Sequence, residues 1–179
     1  MDVSQRIQGA GDLYTKQMIY LRFSTTRTLI PSAIIRWRTQ CAISHVEYWD
    51  SESGFTLGSR WSRRHFENGV QWRSRRYCEE QTNVILARFA GIELAYRAGQ
   101  KFLGYGYNLK AIFAMVLAND WESKGKMFCS EFIVRSAEEA GIKLVNDRVI
   151  AERKITPRDI LLSTSVEVVN GKIDSSSKK

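Results

Sequence analysis

Apolar and polar positions alternate with a strand period through the first half of the chain and shift to a helical period in the second. Residues 18–23 are rich in strand formers. Pro31 suits the first turn of a short helix that 32–39 continues, with Ile34, Ile35 and Trp37 giving it an apolar side. Across 43–49 the alternation sends His45, Glu47 and Trp49 to one face of a strand and Ser44, Val46 and Tyr48 to the other. The polar turn 50–54 leads into a returning strand at 55–61; 69–73 reads as a third strand antiparallel to it, and 83–88 as a fourth. An amphipathic helix follows at 92–101, then a loop at 104–108, a largely apolar helix at 109–117 and a polar connection at 119–126. Residues 155–161 resemble a turn with a short helix, and 166–169 a last strand. Gly11-Asp12-Leu13-Tyr14 looks like a turn entering the ordered part, and 174–179 is a polar tail expected to be disordered. The predicted class is α+β, a small antiparallel sheet packed against helices in one domain over 11–169. A 1–10 extension and a 170–179 polar tail flank it.

The segment from Met127 to Ala137 reads as a helix entrance with a cysteine on its first turn. Ser130 and Glu131 favour a helix start, where side-chain oxygens and negative charge meet unpaired N–H groups. Phe132, Ile133, Ser136, Ala137 and Ala140 recur at helical spacing, and Gly141 is a natural stop. Cys129 thus sits at the positive end of a helix, which lowers a thiol's pKa and favours the nucleophilic thiolate. A lone cysteine more often packs as a small hydrophobe, so the rest of the chain has to decide between the two.

Composition narrows the setting. The 179 residues, 44% hydrophobic, suit one domain with a sizeable core. No apolar run reaches the roughly 18 residues of a membrane span; the longest, 111–118, is too short. The opening Met1-Asp2-Val3-Ser4-Gln5-Arg6 lacks the basic-then-apolar order of a signal peptide, so a cytoplasmic location is the default expectation. Delivery with a phage or other particle is the other route. Cys41, Cys78 and Cys129 make no disulfide framework, and the odd number fits a reducing compartment. With two histidines and no Cys-x-x-Cys pair, neither a structural zinc site nor a cofactor is expected.

The net charge of +8 draws attention to Arg60, Arg63, Arg64, Arg73, Arg75 and Arg76, which are interleaved with Trp61 and Trp72. Such a cluster is either the footprint of an anionic partner or a solvated strand face and loop, the commoner origin of a charge run. No nucleic-acid-binding motif accompanies the arginines.

A cysteine nucleophile needs a general base in hydrogen-bond reach. Of the two histidines, His65 lies in the arginine-rich turn and reads as a surface residue, whereas His45 sits in a strand among core-type residues. Such a base is normally oriented by a third polar group. Glu47, two residues on and on the same face, is one candidate; Gly58 and Ser59 on the returning strand are the other place to look.

An ordered set of residues now resembles a known family. Gly11-Asp12-Leu13, Ser44-His45-Val46-Glu47, Gly69-Val70, Gly104-x-x-Tyr107, Phe128-Cys129-Ser130-Glu131-Phe132 and Ile155-Thr156-Pro157-x-Asp159 follow the order of the permuted papain-like hydrolases. These are the YiiX-like, NlpC-related cysteine amidases and peptidases, with lecithin retinol acyltransferase as a distant relative. In them the histidine strand precedes the cysteine helix. The resemblance spans Gly11 to about Ser163 and implies Cys129 as nucleophile and His45 as base, then acid. It implies Tyr107 as a residue near the active site; Tyr107 and Ser59 are the candidate substrate-binding residues. Two positions depart from the pattern: Asn108 stands where aspartate is usual, and Leu57-Gly58-Ser59 carries no carboxylate where relatives place a glutamate. The orienting group is then Glu47 or Ser59, or the site runs on a dyad.

Two function classes remain. One is a cysteine hydrolase or acyltransferase acting on an amide or ester bond of a small-molecule, peptide or lipid-like substrate. The other is an inactive basic module that uses the arginine and tryptophan cluster to bind nucleic acid, cell-wall polymer or a protein partner.

Overall fold

The computed structural model describes residues 18–26, 30–61, 68–74, 81–110, 112, 124–145 and 155–169. The Gly11–Tyr14 turn, His65, Cys78, most of the 109–117 helix and the 119–126 connection, and the expected domain limits at 1–10 and 170–179 lie outside these residues.

Strand β1 (Ile19–Thr26) is followed by helix α1 (Ile30–Thr39), then β2 (His45–Asp50), β3 (Thr56–Arg60), β4 (Gly69–Arg73) and β5 (Gln81–Arg88). Helix α2 (Ile92–Gly99) runs into a 3-10 turn at Gln100–Phe102, and β6 (Gly106–Tyr107) and β7 (Lys126–Met127) are two-residue strands. Helix α3 (Cys129–Glu139), helix α4 (Pro157–Leu161) and strand β8 (Glu167–Val168) complete the described order. The main sheet runs β4-β3-β2-β1-β5-β8, and every neighbouring pair in it is antiparallel. This is a single-domain α+β fold with a mostly antiparallel sheet. Among the described residues no helix is long and apolar enough to cross a membrane.

β2 lies between β1 and β3, and all its residues except Trp49 are buried. Its two faces do different jobs. On one, Tyr48 packs edge-on against Tyr96 of α2 and Phe132 of α3, each at 5.8 Å between ring centroids, a favoured aromatic geometry. On the other, the antiparallel register sets Ser24 beside His45 and Arg22 beside Glu47, so polar groups from adjacent strands gather in one row.

α3 packs against β2, β3 and α2, burying Phe132, Ile133, Val134 and Ala137. It stops where the sequence predicts: Gly141 takes φ +72, a left-handed conformation that costs glycine little. The predicted loop at 104–108 contains β6, which pairs in parallel with β7. Strands twenty residues apart leave no local period to read, and this pairing anchors the segment entering α3.

Candidate active site

Three separate ties hold the entrance of α3. Phe128 is extended, and its N–H donates to Glu131 Oε2 at 3.4 Å, so the first-turn glutamate reaches back over the helix start. Ser130 does not cap the helix; its hydroxyl donates to the carbonyl of Ile155 at 2.6 Å and ties α3 to the segment before α4. Ser59 donates to the carbonyl of Met127 at 2.5 Å, clamping β3 to the residue two before Cys129. The first residue of α3 is Cys129 itself, completely buried.

His45 and Glu47 meet. Nε2 of the imidazole lies 3.2 Å from Oε2 of Glu47, and Arg22 donates to the other carboxylate oxygen, Oε1, at 3.2 Å. Glu47 is fully buried, and a buried carboxylate persists as an anion only when paired and hydrogen-bonded. The Cys129 thiol lies close enough to the imidazole for each group to shift the other's pKa. The sequence alternatives for the group beside His45 thus separate: Glu47 bonds the ring, and Ser59 is buried with its hydroxyl donating to the carbonyl of Met127.

Gly58 explains how a buried carboxylate fits on β2. A Cβ at Gly58 would lie 2.7 Å from Cβ and 3.4 Å from Cα of Glu47, so the missing side chain on β3 makes room for the glutamate opposite. Gly58→Ala is expected to cost about 1–3 kcal/mol through overpacking and to move the carboxylate away from His45. Thermal melting reads the first effect and the pH dependence of Cys129 alkylation the second; no change in either would mean that the strands spread freely here.

The electrostatics follow from these contacts. Burial by itself would push the Cys129 thiol up, but the hydrogen bond and charge of His45, with backbone N–H groups of Val46 and Ser130, outweigh it and hold the thiol below its ordinary value. For His45, burial would lower the imidazole pKa, whereas its bonds to Cys129 and Glu47 and their charges raise it above the usual value. Burial would raise Glu47, yet the His45 bond and the charges of His45, Arg60 and Arg22 bring it down to about 2. The shifts favour a thiolate, an imidazolium and a carboxylate side by side.

Tyr107, on β6, is held well above its usual pKa by burial and by the nearby Cys129 charge, with Arg60 opposing. It lines a cavity of about 30 Å³ together with His45, Arg60, Trp61 and α1's Pro31, Ser32 and Ile35, room for a water molecule or a small substituent. Asn108, in the position noted as unusual, is buried.

The arginine cluster divides. Arg60 and Arg73 are buried, against the solvated strand face expected from sequence. Arg60 donates to Thr26 Oγ1 at 2.8 Å, and Arg73 to the carbonyls of Gly58 and Gly69 at 2.8 and 2.9 Å. The antiparallel register lays both side chains over the sheet, where carbonyls and hydroxyls accept their protons. Arg63, Arg64, Arg75 and Arg76 lie outside the described residues.

Sequence reading missed Arg22 and Arg60 as neighbours of the site, and it pointed to Gly58 only as a place to look for the orienting group, not as the space a glutamate needs. A charged residue inside the otherwise apolar 18–23 strand was the available signal for Arg22; the role of Gly58 was not readable, because it depends on the residue across the strand.

No family model matches the chain, and no curated protein matches it. Among solved structures it is similar to the crystal structure described as metalloprotein yiiX from Escherichia coli O157:H7, with a TM-score of 0.63 and 13% identity over 87% of this chain and 98% of that one. At this identity the likeness is one of fold. That description calls the neighbour a metalloprotein. Here, among the described residues, no group of three or more His, Cys, Asp or Glu side chains is arranged to hold a metal ion. His45 and Glu47 bond each other, and Arg22 holds the second carboxylate oxygen, so these donors are engaged within the protein.

Proposed function

We propose that this protein is a cysteine-dependent hydrolase or acyltransferase of the permuted papain-like type, acting on an amide or ester bond. The observation that carries the reading is the buried His45–Glu47 pair, bonded at 3.2 Å, beside the Cys129 thiol at a helix start, with the thiol held down and the imidazole held up in pKa. The YiiX-like fold is compatible with it.

In this reading the Cys129 thiolate attacks the substrate carbonyl carbon, forming a C–S bond and placing negative charge on the carbonyl oxygen. The backbone N–H of Cys129, at the positive end of α3, supplies a donor for that oxyanion. As the C–N or C–O bond breaks, His45 delivers its proton to the leaving amine or alkoxide. His45 then takes a proton from water, or from an acceptor amine, as that nucleophile attacks the thioester and releases the acyl group. Glu47 keeps the ring in one orientation and stabilises its charged form. Tyr107 lines the approach. Burial of Arg60 and Arg73 weighs against the binding-module alternative, which draws on both as surface cations.

Cys129 has no exposure, so absolute alkylation rates mix access with thiolate content. The ratio of rates at two pH values removes the access factor. Iodoacetamide should label Cys129 at about pH 6 at a rate close to that near pH 8, whereas a free thiol of pKa about 8.5 slows steeply over that range. A Cys129 profile that falls like a free thiol's would remove the basis of the proposal.

A further inference from the structure

The outward side of α1 carries apolar residues that the site does not use. Ile30 is 72% exposed and Trp37 66% exposed; Ala33 is also exposed and Ile34 half-buried. Spacings of three, four and seven residues put these four on one stripe of the helix. Single exposed hydrophobics are ordinary, but a contiguous stripe with a tryptophan at its end is a contact surface. The charges beside it have one sign. Ile30–Thr39 contains no acidic residue, Arg36 and Arg38 stand in its last turn, and the whole chain carries +8. The opposite side of the same helix faces the site, because Pro31, Ser32 and Ile35 line the cavity beside His45.

We infer that α1 is the docking surface for an anionic lipid bilayer. Ile30, Ala33, Ile34 and Trp37 enter the headgroup boundary, where tryptophan is favoured, while Arg38 stays at headgroup level among the lipid phosphates. Basic residues near an anionic leaflet each add to the attraction, and this part of the binding weakens with salt. Charge complementarity selects this occupant over a second copy of the chain, since two stripes pressed together would bring arginines of one sign against each other. Docked in this way, the helix lies between the membrane and the cavity at His45. The inference goes beyond the proposed chemistry and does not need it.

Co-sedimentation with phosphatidylcholine vesicles, prepared with and without phosphatidylglycerol, tests this. The wild type should pellet with the phosphatidylglycerol vesicles, less so at high salt. Ile30→Gln combined with Trp37→Gln should weaken partitioning roughly tenfold or more, because both side chains lose their apolar contact. The double variant should melt like the wild type, since neither residue is in the core. Arg38→Glu, a second and independent variant, should reduce the preference for phosphatidylglycerol. Cys129→Ser should bind as the wild type does, which keeps the result separate from any catalytic role of the thiol. Wild type that stays in the supernatant, a double variant that pellets normally, or binding indifferent to phosphatidylglycerol each overturn the inference. So does a concentration-dependent dimer that the double variant dissolves, which would give the stripe to a second copy.

Discussion

Cys129→Ser is expected to abolish acyl transfer while leaving the fold close to wild type. The exchange is nearly isosteric, and a helix start accepts a hydroxyl. The new hydroxyl also inherits polar neighbours, the His45 ring and the backbone N–H of Val46, so it is not buried without partners. Chemistry is another matter. A serine hydroxyl is a far weaker nucleophile at the same pH, and a site whose imidazole is held toward its charged form cannot act as the base a serine needs. A loss of about a thousandfold or more is expected, in keeping with removal of other enzymatic nucleophiles. Reaction with p-nitrophenyl acetate followed by peptide mass mapping measures it without knowledge of the natural substrate. Wild type should carry an acetyl group on the Cys129 peptide and the variant should not, whereas Cys41→Ser and Cys78→Ser should acylate as before. A Cys129→Ser protein that turns over at the wild-type rate would move the nucleophile elsewhere.

Glu47→Gln should reduce both stability and activity, through separable causes. The carboxylate is fully buried and bonds His45 and Arg22, with the Arg60 charge acting on it. Removing its charge leaves the Arg22 guanidinium, itself mostly buried, beside a neutral amide; breaking a buried pair from one side costs about 3–5 kcal/mol. That corresponds to a melting temperature lower by roughly 10 °C in a chain of this size. The sign of the pH effect follows from the direction of the shift. Glu47 lies at about 2 in the fold against an ordinary 4.5. Its stabilisation is therefore complete above the ordinary value and disappears as pH falls through the folded one. The stability gap between wild type and Glu47→Gln should thus be widest near neutrality and close between about pH 4.5 and pH 2. Catalysis should fall by about 10²–10⁴, the range expected when a histidine loses its orienting carboxylate. The pH profile of Cys129 alkylation should move toward that of a free thiol, a change that loss of stability alone does not produce. A variant with wild-type melting and wild-type alkylation would reduce Glu47 to a packing residue.

Much of the element order was legible locally. The alternation in 43–49 sent His45 and Glu47 to one strand face, and β2 presents them so. The Ser130–Gly141 pattern marked a helix with Cys129 at its start, and α3 begins there. Thr156-Pro157-x-Asp159 marked a short helix, and Thr156 and Asp159 form its reciprocal cap, with Thr156 N–H donating to Asp159 Oδ2 at 2.8 Å. The detail of the α3 entrance was less legible: Ser130 has the composition of a capping residue, yet its hydroxyl serves a contact 25 positions away.

What the sequence determined by itself is whatever depends on neighbours in the chain. Side-chain period assigned faces, glycine and proline marked ends, and one cysteine was set at the positive end of a helix. Tertiary structure decided what depends on register and on distance through space. It brought Glu47 rather than Ser59 to the imidazole, because Gly58 opposite leaves the volume a carboxylate needs. It turned Arg60 and Arg73 from a surface charge run into buried donors, because strand pairing sets acceptors under them. It supplied Arg22 from another strand to hold Glu47 ionised. A one-dimensional pattern records which residues share a face; only the packed sheet determines which of them touch, since a shift of one residue in register would send each of these side chains to the opposite side.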